Sequence, residues 1–239
     1  MIRIAHLYYD LMNLYGDNGN IKALKYQLEN QGIKVKISFV TIGDQIDFEN
    51  YDLFYIGPGT ENNKSLILKD LLKYKKEIKM ALEQNKFFIV TGNALDLFGK
   101  YILNEKNKKI KTLNIFDYYT KKENFRIVDE VVAKCDFSSN YVLGFQNQNS
   151  TMHESTYPLF SIIKGCGAYP NAKYEGIIYN NFIGTYLIGP LLVRNPDILK
   201  LLTKKIISSK YNNFKFKNFN LKIETEAHSE YIKNYYSDL

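Results

Sequence analysis

Residues 86–99 contain the stretch whose pattern is most typical of a catalytic turn. Phe87 to Val90 is wholly apolar, which predicts a short strand buried on both faces of a parallel sheet. Thr91-Gly92-Asn93 then forms a sharp turn, and Ala94 to Phe98 has helical spacing. A strand, a tight turn and a helix together form a nucleophile elbow, which presents a reactive side chain above a sheet. The tip of this turn carries no strong nucleophile. The strand-turn-helix pattern therefore predicts a site for nucleophilic catalysis, but the residues of the turn lack the side chain that such catalysis needs.

Two further groups of residues have types that suit a site. Gly57-Pro58-Gly59 follows an apolar strand, and a glycine loop at the carboxyl end of a parallel strand is where α/β sheets bind ligands. Cys166 and His153 lie in later loops and are a candidate nucleophile and base. A working dyad needs their side chains about 3 to 4 Å apart, and a structural role for each is the competing interpretation. Neither Cys135 nor Cys166 belongs to a metal-type spacing, so we expect no metal and no other cofactor.

The remaining elements predict one α/β domain with a strand-rich second half. Strands and helices alternate at first, which indicates right-handed βαβ units, and a polar loop at 101–111 then leads into short strands joined by Gly- and Asn-rich turns. We predict a flavodoxin-like, mostly parallel sheet with helices on both faces over residues 1–210, and a C-terminal tail at 211–239 packed on the same domain. The predicted strands are 2–9, 35–40, 51–56, 87–90, 126–133, 141–146, 160–164, 176–179 and 182–187, and the predicted helices are 21–31, 65–84, 94–98, 197–208 and 224–236.

The composition indicates a globular protein and excludes several classes. Of 239 residues, 45% are hydrophobic and 15% aromatic, which suffices for one sizeable domain. The net charge is +7, with lysine runs at 73–79 and 105–111. The sequence shows no basic stripe with stacking aromatic residues, so we interpret these lysine runs as solvated surface and expect no nucleic-acid binding. Binding to an acidic surface of a partner protein is an alternative.

No apolar stretch approaches the roughly 20 residues of a membrane span. Two cysteines suit a reducing compartment and the N-terminus has no signal-peptide pattern, so we expect a cytoplasmic protein.

Five stretches, taken in order, carry a resemblance to one family. They are Asn13-Leu14-Tyr15-Gly16-Asp17-x-Gly19-Asn20-Ile21, Ile56-Gly57-x-Gly59, Leu97-Phe98-Gly99-Lys100, Gly144-Phe145-x-Asn147 and Gly184-Thr185-Tyr186-Leu187-x-Gly189-Pro190. In these stretches the chain is similar to class I glutamine amidotransferases of the cobyric-acid-synthase-like branch, and in particular to the glutaminase subunits of lipid II isoglutaminyl synthase. The resemblance spans roughly residues 4 to 200, which exceeds a chance motif. It implies an enzyme that releases ammonia from glutamine and a Mur-ligase-like partner that amidates peptidoglycan precursor.

The resemblance implies which residues occupy the family's reacting positions. The nucleophilic cysteine of the family's elbow falls at Gly92, and the histidine base of its Leu-His-Gly-Pro motif falls at Ile188. A slip of one residue would place Thr91 or Asn93 at the nucleophile position instead, and neither suits that role. Glycine cannot attack an amide and isoleucine cannot accept a proton, so we expect the glutaminase reaction to be absent. We also expect Gly92 and Ile188 to leave a more open and less polar pocket.

Other parts of the family's site are retained. Gly57 and Gly59 match the loop that supplies an oxyanion-hole amide. Arg126 matches the arginine that binds glutamine in the nearest relatives, with an ordinary surface arginine as the alternative. Asn147 matches a residue that lines the site, and Asn93 completes the predicted substrate-binding set.

Three interpretations of function follow. The first is a non-hydrolytic amidotransferase-like subunit that regulates or scaffolds a Mur-ligase-like synthase subunit in cell-wall precursor amidation, and that still binds glutamine or a small amide. The second is an active glutaminase that uses residues outside the family pattern, such as Cys166 and His153. The third is a module whose pocket binds an unrelated small ligand.

Overall fold

The computed structural model describes residues 1–237 and contains two sheets. The strands of the first sheet are β1 (Ile2–Leu7), β2 (Val35–Val40), β3 (Leu53–Ile56), β4 (Phe87–Thr91), β11 (Ile177–Tyr179) and β12 (Phe182–Thr185). Their order is β11–β12–β4–β3–β1–β2, and all neighbours pair in parallel except β11 with β12. Each residue of β3 and β4 is buried, as expected for short apolar strands in the middle of a parallel sheet.

Helices cover both faces of this sheet, which confirms the predicted flavodoxin-like architecture. The helices are α1 (Gly19–Asn30), α2 (Glu61–Leu71), α3 (Lys75–Glu83), α4 (Leu191–Arg194), α5 (Pro196–Ser208) and α6 (Lys222–Tyr235). Leucines and isoleucines of α2 and α3 form the core on one face, and those of α1 and α5 form the core on the other. On the first face, the stacked rings of Phe54 and Phe88 have centroids 4.8 Å apart.

The second sheet is inserted in the chain between β4 and β11 and accounts for the strand-rich second half. Its strands are β5 (Tyr101–Leu103), β6 (Lys109–Lys111), β7 (Tyr119–Lys134), β8 (Val142–His153), β9 (Phe160–Lys164) and β10 (Tyr174–Glu175). The order is β10–β9–β7–β5–β6, and β8 pairs antiparallel along the other edge of β7. The insertion therefore places β7 and β8 next to the carboxyl end of the parallel sheet, where the elbow lies.

Several predicted elements differ from the structure. The strands predicted at 126–133 and 141–146 are parts of the longer β7 and β8. The helix predicted at 65–84 is α2 and α3 separated by a 3-10 turn at Leu72–Tyr74, and it starts earlier because the Thr60 hydroxyl accepts a hydrogen bond from the Asn63 amide at 3.1 Å. The loop predicted at 101–111 contains β5 and β6. The helix predicted after the elbow is a 3-10 helix, Gly92–Leu97, because the turn is too tight for an α-helical first turn.

The C-terminal segment contacts α1 and α5. Leu221 is buried, and Phe214, Phe216 and Phe219 pack against the core on that face. The Gln31 side chain also donates to the Lys217 carbonyl at 3.2 Å and accepts from the Lys217 amide at 2.8 Å. The division of the chain at residue 210 stays a prediction, and residues 238–239 of the predicted tail lie outside the described residues. No helix within residues 1–237 is long and apolar enough to cross a membrane.

Candidate functional site

The two predicted reacting positions lie side by side at the elbow. Gly92 follows β4 with φ at +58°, a conformation that favours glycine. A Cβ atom placed on Gly92 would lie 2.6 Å from Pro58 Cβ and 3.2 Å from Ile188 Cγ2. The ring of Pro58 therefore occupies the space into which a side chain at position 92 would project. The pocket at this point is sealed and apolar, so the expectation that Gly92 and Ile188 leave it more open is wrong.

Ile188 is held at this position by the second sheet. Its amide donates to the Phe145 carbonyl at 2.9 Å, and its carbonyl accepts from the Phe145 amide at 3.3 Å. This isolated bridge ties the chain after β12 to β8. The Ile188 side chain is 1% exposed, and an isoleucine there has no atom that can take or give a proton.

Gly57 and Gly59 are glycines because other backbone segments approach them closely. A Cβ atom on Gly59 would lie 2.8 Å from the Leu11 carbonyl oxygen, and one on Gly57 would lie 2.9 Å from the Met12 carbonyl oxygen. The Asn93 side chain occupies both polar groups of Gly59: its Oδ1 accepts from the Gly59 amide at 3.0 Å, and its Nδ2 donates to the Gly59 carbonyl at 2.8 Å. The Gly59 N–H is thus engaged and does not serve as an oxyanion donor in this arrangement.

Above the sealed floor is a cleft of about 490 Å³. Four of the predicted substrate-binding residues line it, while Gly57, Gly92 and Ile188 lie beneath it. The second sheet supplies one wall and the loop after β3 supplies the other. The lining residues are Leu14, Tyr15, Pro58, Gly59, Thr60, Glu61, Asn93, Arg126 and Asn147.

Arg126 supplies the positive charge of this cleft. It is exposed, and its Nη1 donates to Asn147 Oδ1 at 2.8 Å across the β7–β8 pair. A register shift in that pair between Lys122 and Ile127 lies at this position and turns the side chain towards the cleft. Within residues 1–237, no carboxylate forms an ion pair with Arg126. Most of its N–H groups therefore remain available for a carboxylate or phosphate group of a ligand.

Glu61 supplies the negative charge on the opposite wall. Its carboxylate lies 3.0 Å from Lys64 Nζ, and Lys64 Nζ lies 2.5 Å from Asp96 Oδ2. Burial lowers the pKa of Lys64, but the charges of Asp96 and Glu61 outweigh burial and raise the pKa overall, so the ammonium stays charged. Asp96 also accepts hydrogen bonds from Ser150 at 2.8 Å and from Tyr186 at 2.7 Å. The side chains of Glu61, Lys64 and Asp96 carry a formal net charge of −1 beside the cleft.

The sequence reasoning missed this Lys64–Asp96 pair. A charged residue, Asp96, on a predicted buried turn is the signal that a buried partner is needed. Lys64 could not be paired with Asp96 from spacing alone, because the two residues belong to elements that meet only in the folded chain.

A second buried polar cluster lies under the elbow. The Asp17 carboxylate accepts hydrogen bonds from the Tyr55 and Thr91 hydroxyls, and from Asn20 Nδ2 at 3.1 Å. Burial raises the pKa of Asp17 to about 6 despite these donors. Thr91 thereby has a potential base, but Thr91, Tyr55 and Asp17 are each fully buried, so no substrate can reach the Thr91 hydroxyl. The matching stretch that contains Asp17 is thus structural here: it joins the loop before α1 to the elbow strand.

Cys166 and His153 do not form a dyad, and His153 is the last residue of β8 where a loop was predicted. His153 Nε2 lies 2.9 Å from Thr151 Oγ1, and the ring is stacked between two tyrosines. Burial and the nearby carboxylates of Asp129 and Glu175 raise the pKa of the Cys166 thiol. An activated cysteine requires the opposite shift. Within residues 1–237, no cluster of three or more His, Cys, Asp or Glu side chains is arranged to hold a metal ion.

Known proteins similar to this chain fall in one group. Residues 3–196 match the CobB/CobQ-like glutamine amidotransferase domain. The chain is 31% identical over 242 aligned residues to the lipid II isoglutaminyl synthase (glutamine-hydrolyzing) subunit GatD of Streptococcus pneumoniae, covering 100% of this chain and 91% of the relative. It is 30% identical over 226 residues to the GatD subunit of Staphylococcus aureus, covering 95% and 93%.

Solved structures agree on the fold. A glutamine amidotransferase from Thermotoga maritima superposes with a TM-score of 0.51 at 12% identity, over 96% of this chain and 92% of that one. The glutaminase domain of Trypanosoma brucei CTPS gives a TM-score of 0.51 at 10% identity, over 92% and 98%. The sequence and structural similarities together show that this chain belongs to the family of CobB/CobQ-like glutamine amidotransferases.

Proposed function

We propose that this chain is the amidotransferase-like subunit of a lipid II isoglutaminyl synthase-type complex and that it does not hydrolyse glutamine. It acts in the cytoplasm with a Mur-ligase-like synthase subunit, which carries out amidation of the cell-wall precursor. Full-length similarity to GatD subunits supports the type of complex. The single observation that carries the loss of hydrolysis is the packing of Pro58 and Ile188 against Gly92 at the nucleophile position.

Three independent features of the site point the same way. The elbow has no thiol or hydroxyl that a substrate can reach, the base position holds isoleucine, and the Gly59 N–H is already bonded to Asn93. A glutaminase needs a nucleophile, a base and an oxyanion donor around one carbonyl carbon. Because each of the three is blocked or replaced, restoring one of them leaves the other two missing.

The decisive experiment measures ammonia release from glutamine by the purified protein, alone and with the Mur-ligase-like subunit. We expect no release above the buffer control in either case, while the complex still forms. Turnover comparable to that of a GatD subunit assayed in parallel would overturn the loss of hydrolysis. Loss of such turnover in Cys166→Ala would then assign the reaction to residues outside the family pattern.

The open cleft favours a second role, the binding of a small ligand. Arg126 faces about 490 Å³ of space with no described carboxylate partner, and Glu61 stands on the other wall. This pair of charges suits the carboxylate and ammonium groups of an amino acid such as glutamine. Calorimetry should detect glutamine binding that Arg126→Ala abolishes, whereas the surface change Lys76→Ala should leave it unaltered. Equal binding by the wild type and Arg126→Ala would remove this role from the cleft.

A further inference from the structure

A row of stacked rings crosses the solvent face of the second sheet. We define the aromatic row as Tyr101, Tyr119, His153 and Tyr169, which lie on β5, β7, β8 and the loop after β9. Successive ring centroids are 5.2, 5.2 and 5.1 Å apart, with interplanar angles of 17°, 20° and 10°. Lys109 Nζ closes one end of the row, 4.3 Å from the Tyr101 centroid. The row forms because Tyr119 pairs directly with His153 across β7 and β8, and Tyr101 lies beside Tyr119.

The aromatic row is ordered in advance of any contact. Thr151 Oγ1 lies 2.9 Å from His153 Nε2 and donates a hydrogen bond to Glu123 Oε1 at 3.0 Å. These contacts fix the orientation of the His153 ring within the row. Tyr169, at the end of the row, is 42% exposed. Rigid aromatic side chains lose little conformational entropy on binding, and tyrosine is enriched at protein–protein interfaces. This surface therefore has the properties of a protein–protein interface.

A positively charged hairpin borders the aromatic row. Between residues 100 and 123, seven lysines face three carboxylates, a net charge of +4 out of the +7 of the whole chain. Four of these lysines are exposed on or beside the β5–β6 turn, and we call this group the lysine hairpin: Lys106, Lys108, Lys109 and Lys111. A partner protein that binds the aromatic row would also contact these positive charges, so a partner with an acidic surface is favoured.

The aromatic row and the cleft lie on the same face of β8. Side chains alternate along a strand, so Asn147 of the cleft and His153 of the row stand on the same face of β8. Six residues separate them, which is about 20 Å along the strand. A protein docked on the row and the lysine hairpin would therefore reach the mouth of the cleft.

We propose that the aromatic row and the lysine hairpin form the docking surface for an acidic face of the Mur-ligase-like synthase subunit. This inference rests on the proposed function for the identity of the partner. Single-stranded nucleic acid fits the surface less well, because bases bind on exposed ring faces. Here the rings cover one another, and Lys109 covers the outer face of Tyr101.

Charge reversal tests the lysine hairpin. The dissociation constant of the complex with the purified Mur-ligase-like subunit is measured at low and high salt for Lys108→Glu/Lys111→Glu. We expect a rise of about tenfold or more at low salt, shrinking as salt is added. The control Lys76→Glu/Lys79→Glu changes the net charge equally on the exposed face of α3 and should stay within about twofold of the wild type.

Ring removal tests the aromatic row. Tyr169→Ala should weaken the complex about fivefold or more, as an interface aromatic does. Tyr26→Ala removes a ring of similar exposure from α1 and should have no effect. Thermal unfolding of each variant shows that the fold is intact.

The outcomes separate this inference from the proposed function. If the wild-type complex forms and both surface variants bind as tightly as the wild type, the proposed docking surface is wrong and the proposed partner is retained. If no wild-type complex forms, the partner is wrong and the docking assignment falls with it. Binding of a single-stranded oligonucleotide that the same variants abolish would reassign the surface to nucleic acid and also overturn the proposal.

Discussion

Replacing Gly92 by alanine tests directly whether the nucleophile position is sealed. The new Cβ atom would lie 2.6 Å from Pro58 Cβ and 3.2 Å from Ile188 Cγ2, whereas carbon atoms pack best at about 3.5 to 4.0 Å. Forcing an extra carbon into a packed site costs about 1 to 3 kcal/mol. The φ of +58° adds about 1 kcal/mol for any residue with a Cβ atom. We therefore expect Gly92→Ala to lower the free energy of unfolding by about 3 kcal/mol.

Gly16→Ala is the matched control because it isolates the backbone contribution. Gly16 has a φ of +67°, and no atom lies within 4 Å of the position of its added Cβ. Its expected cost is about 1 kcal/mol. The difference between the two variants, about 2 kcal/mol, then measures the steric filling of the elbow.

Urea and thermal unfolding provide the assay. A loss of about 3 kcal/mol corresponds to a fall in the melting temperature of about 6 to 12 °C for a chain of this size. Pro58→Gly removes the atom that the new Cβ would meet, so the Gly92→Ala/Pro58→Gly double variant should recover about 1 to 2 kcal/mol as a favourable coupling energy. If Gly92→Ala is no more destabilising than Gly16→Ala, or if the coupling is zero, Pro58 does not fill the nucleophile position and the case for a sealed elbow is refuted.

Three other changes test the site and the buried charges. Gly92→Cys/Ile188→His should release no more ammonia from glutamine than the wild type, because the floor leaves the thiol no room; turnover in the double variant would contradict this. Lys64→Met should cost about 3 to 5 kcal/mol in urea unfolding at neutral pH, because it leaves Asp96 buried without its counter-ion, and adding Asp96→Asn should restore part of that loss. Burial raises the pKa of Glu175 from 4.5 to about 7, so the folded state holds a proton that the unfolded state has released, and wild-type stability should fall as the pH rises from 4.5 to 7. In Glu175→Gln the amide oxygen can still accept from the Tyr186 N–H, whereas the amide nitrogen would donate to Thr185 Oγ1, which reverses the bond that Glu175 accepts there. The variant should be more stable than the wild type by about 3 kcal/mol at pH 8, with no difference at pH 4; equal stability at both pH values would show that Glu175 titrates normally.

Local sequence patterns predict the parallel sheet well. The apolar runs at β3 and β4 leave water only if both faces of each strand are buried. The sequence therefore predicts parallel strands in the middle of a sheet and an α/β fold class. The broken helix at 61–83 was less predictable, because the hydrophobic spacing continues through Leu72–Tyr74 while the hydrogen bonds do not. The strands at 101–111 were missed because this polar, lysine-rich segment lacks a hydrophobic strand pattern. β5 and β6 form a hairpin whose β5 edge also pairs with β7, and that pairing is visible only in the folded chain.

The identities of the residues at the reacting positions were also readable from the sequence. Motif spacing alone assigns glycine and isoleucine to positions 92 and 188, and no fold can give those side chains a thiol or an imidazole. The family resemblance equally assigns Gly59, Arg126 and Asn147 to the site, and the structure brings these residues and Asn93 to one cleft.

Only the tertiary structure decided what surrounds those positions. Pro58 over Gly92, the Asn93 side chain on the Gly59 backbone and the buried Lys64–Asp96 pair are contacts between segments that lie far apart in the chain. The aromatic row likewise joins four strands or loops whose register no local pattern specifies. The physical reason is that sequence periodicity reports which face of an element is buried, whereas the atoms that meet across a site depend on how separate elements pack.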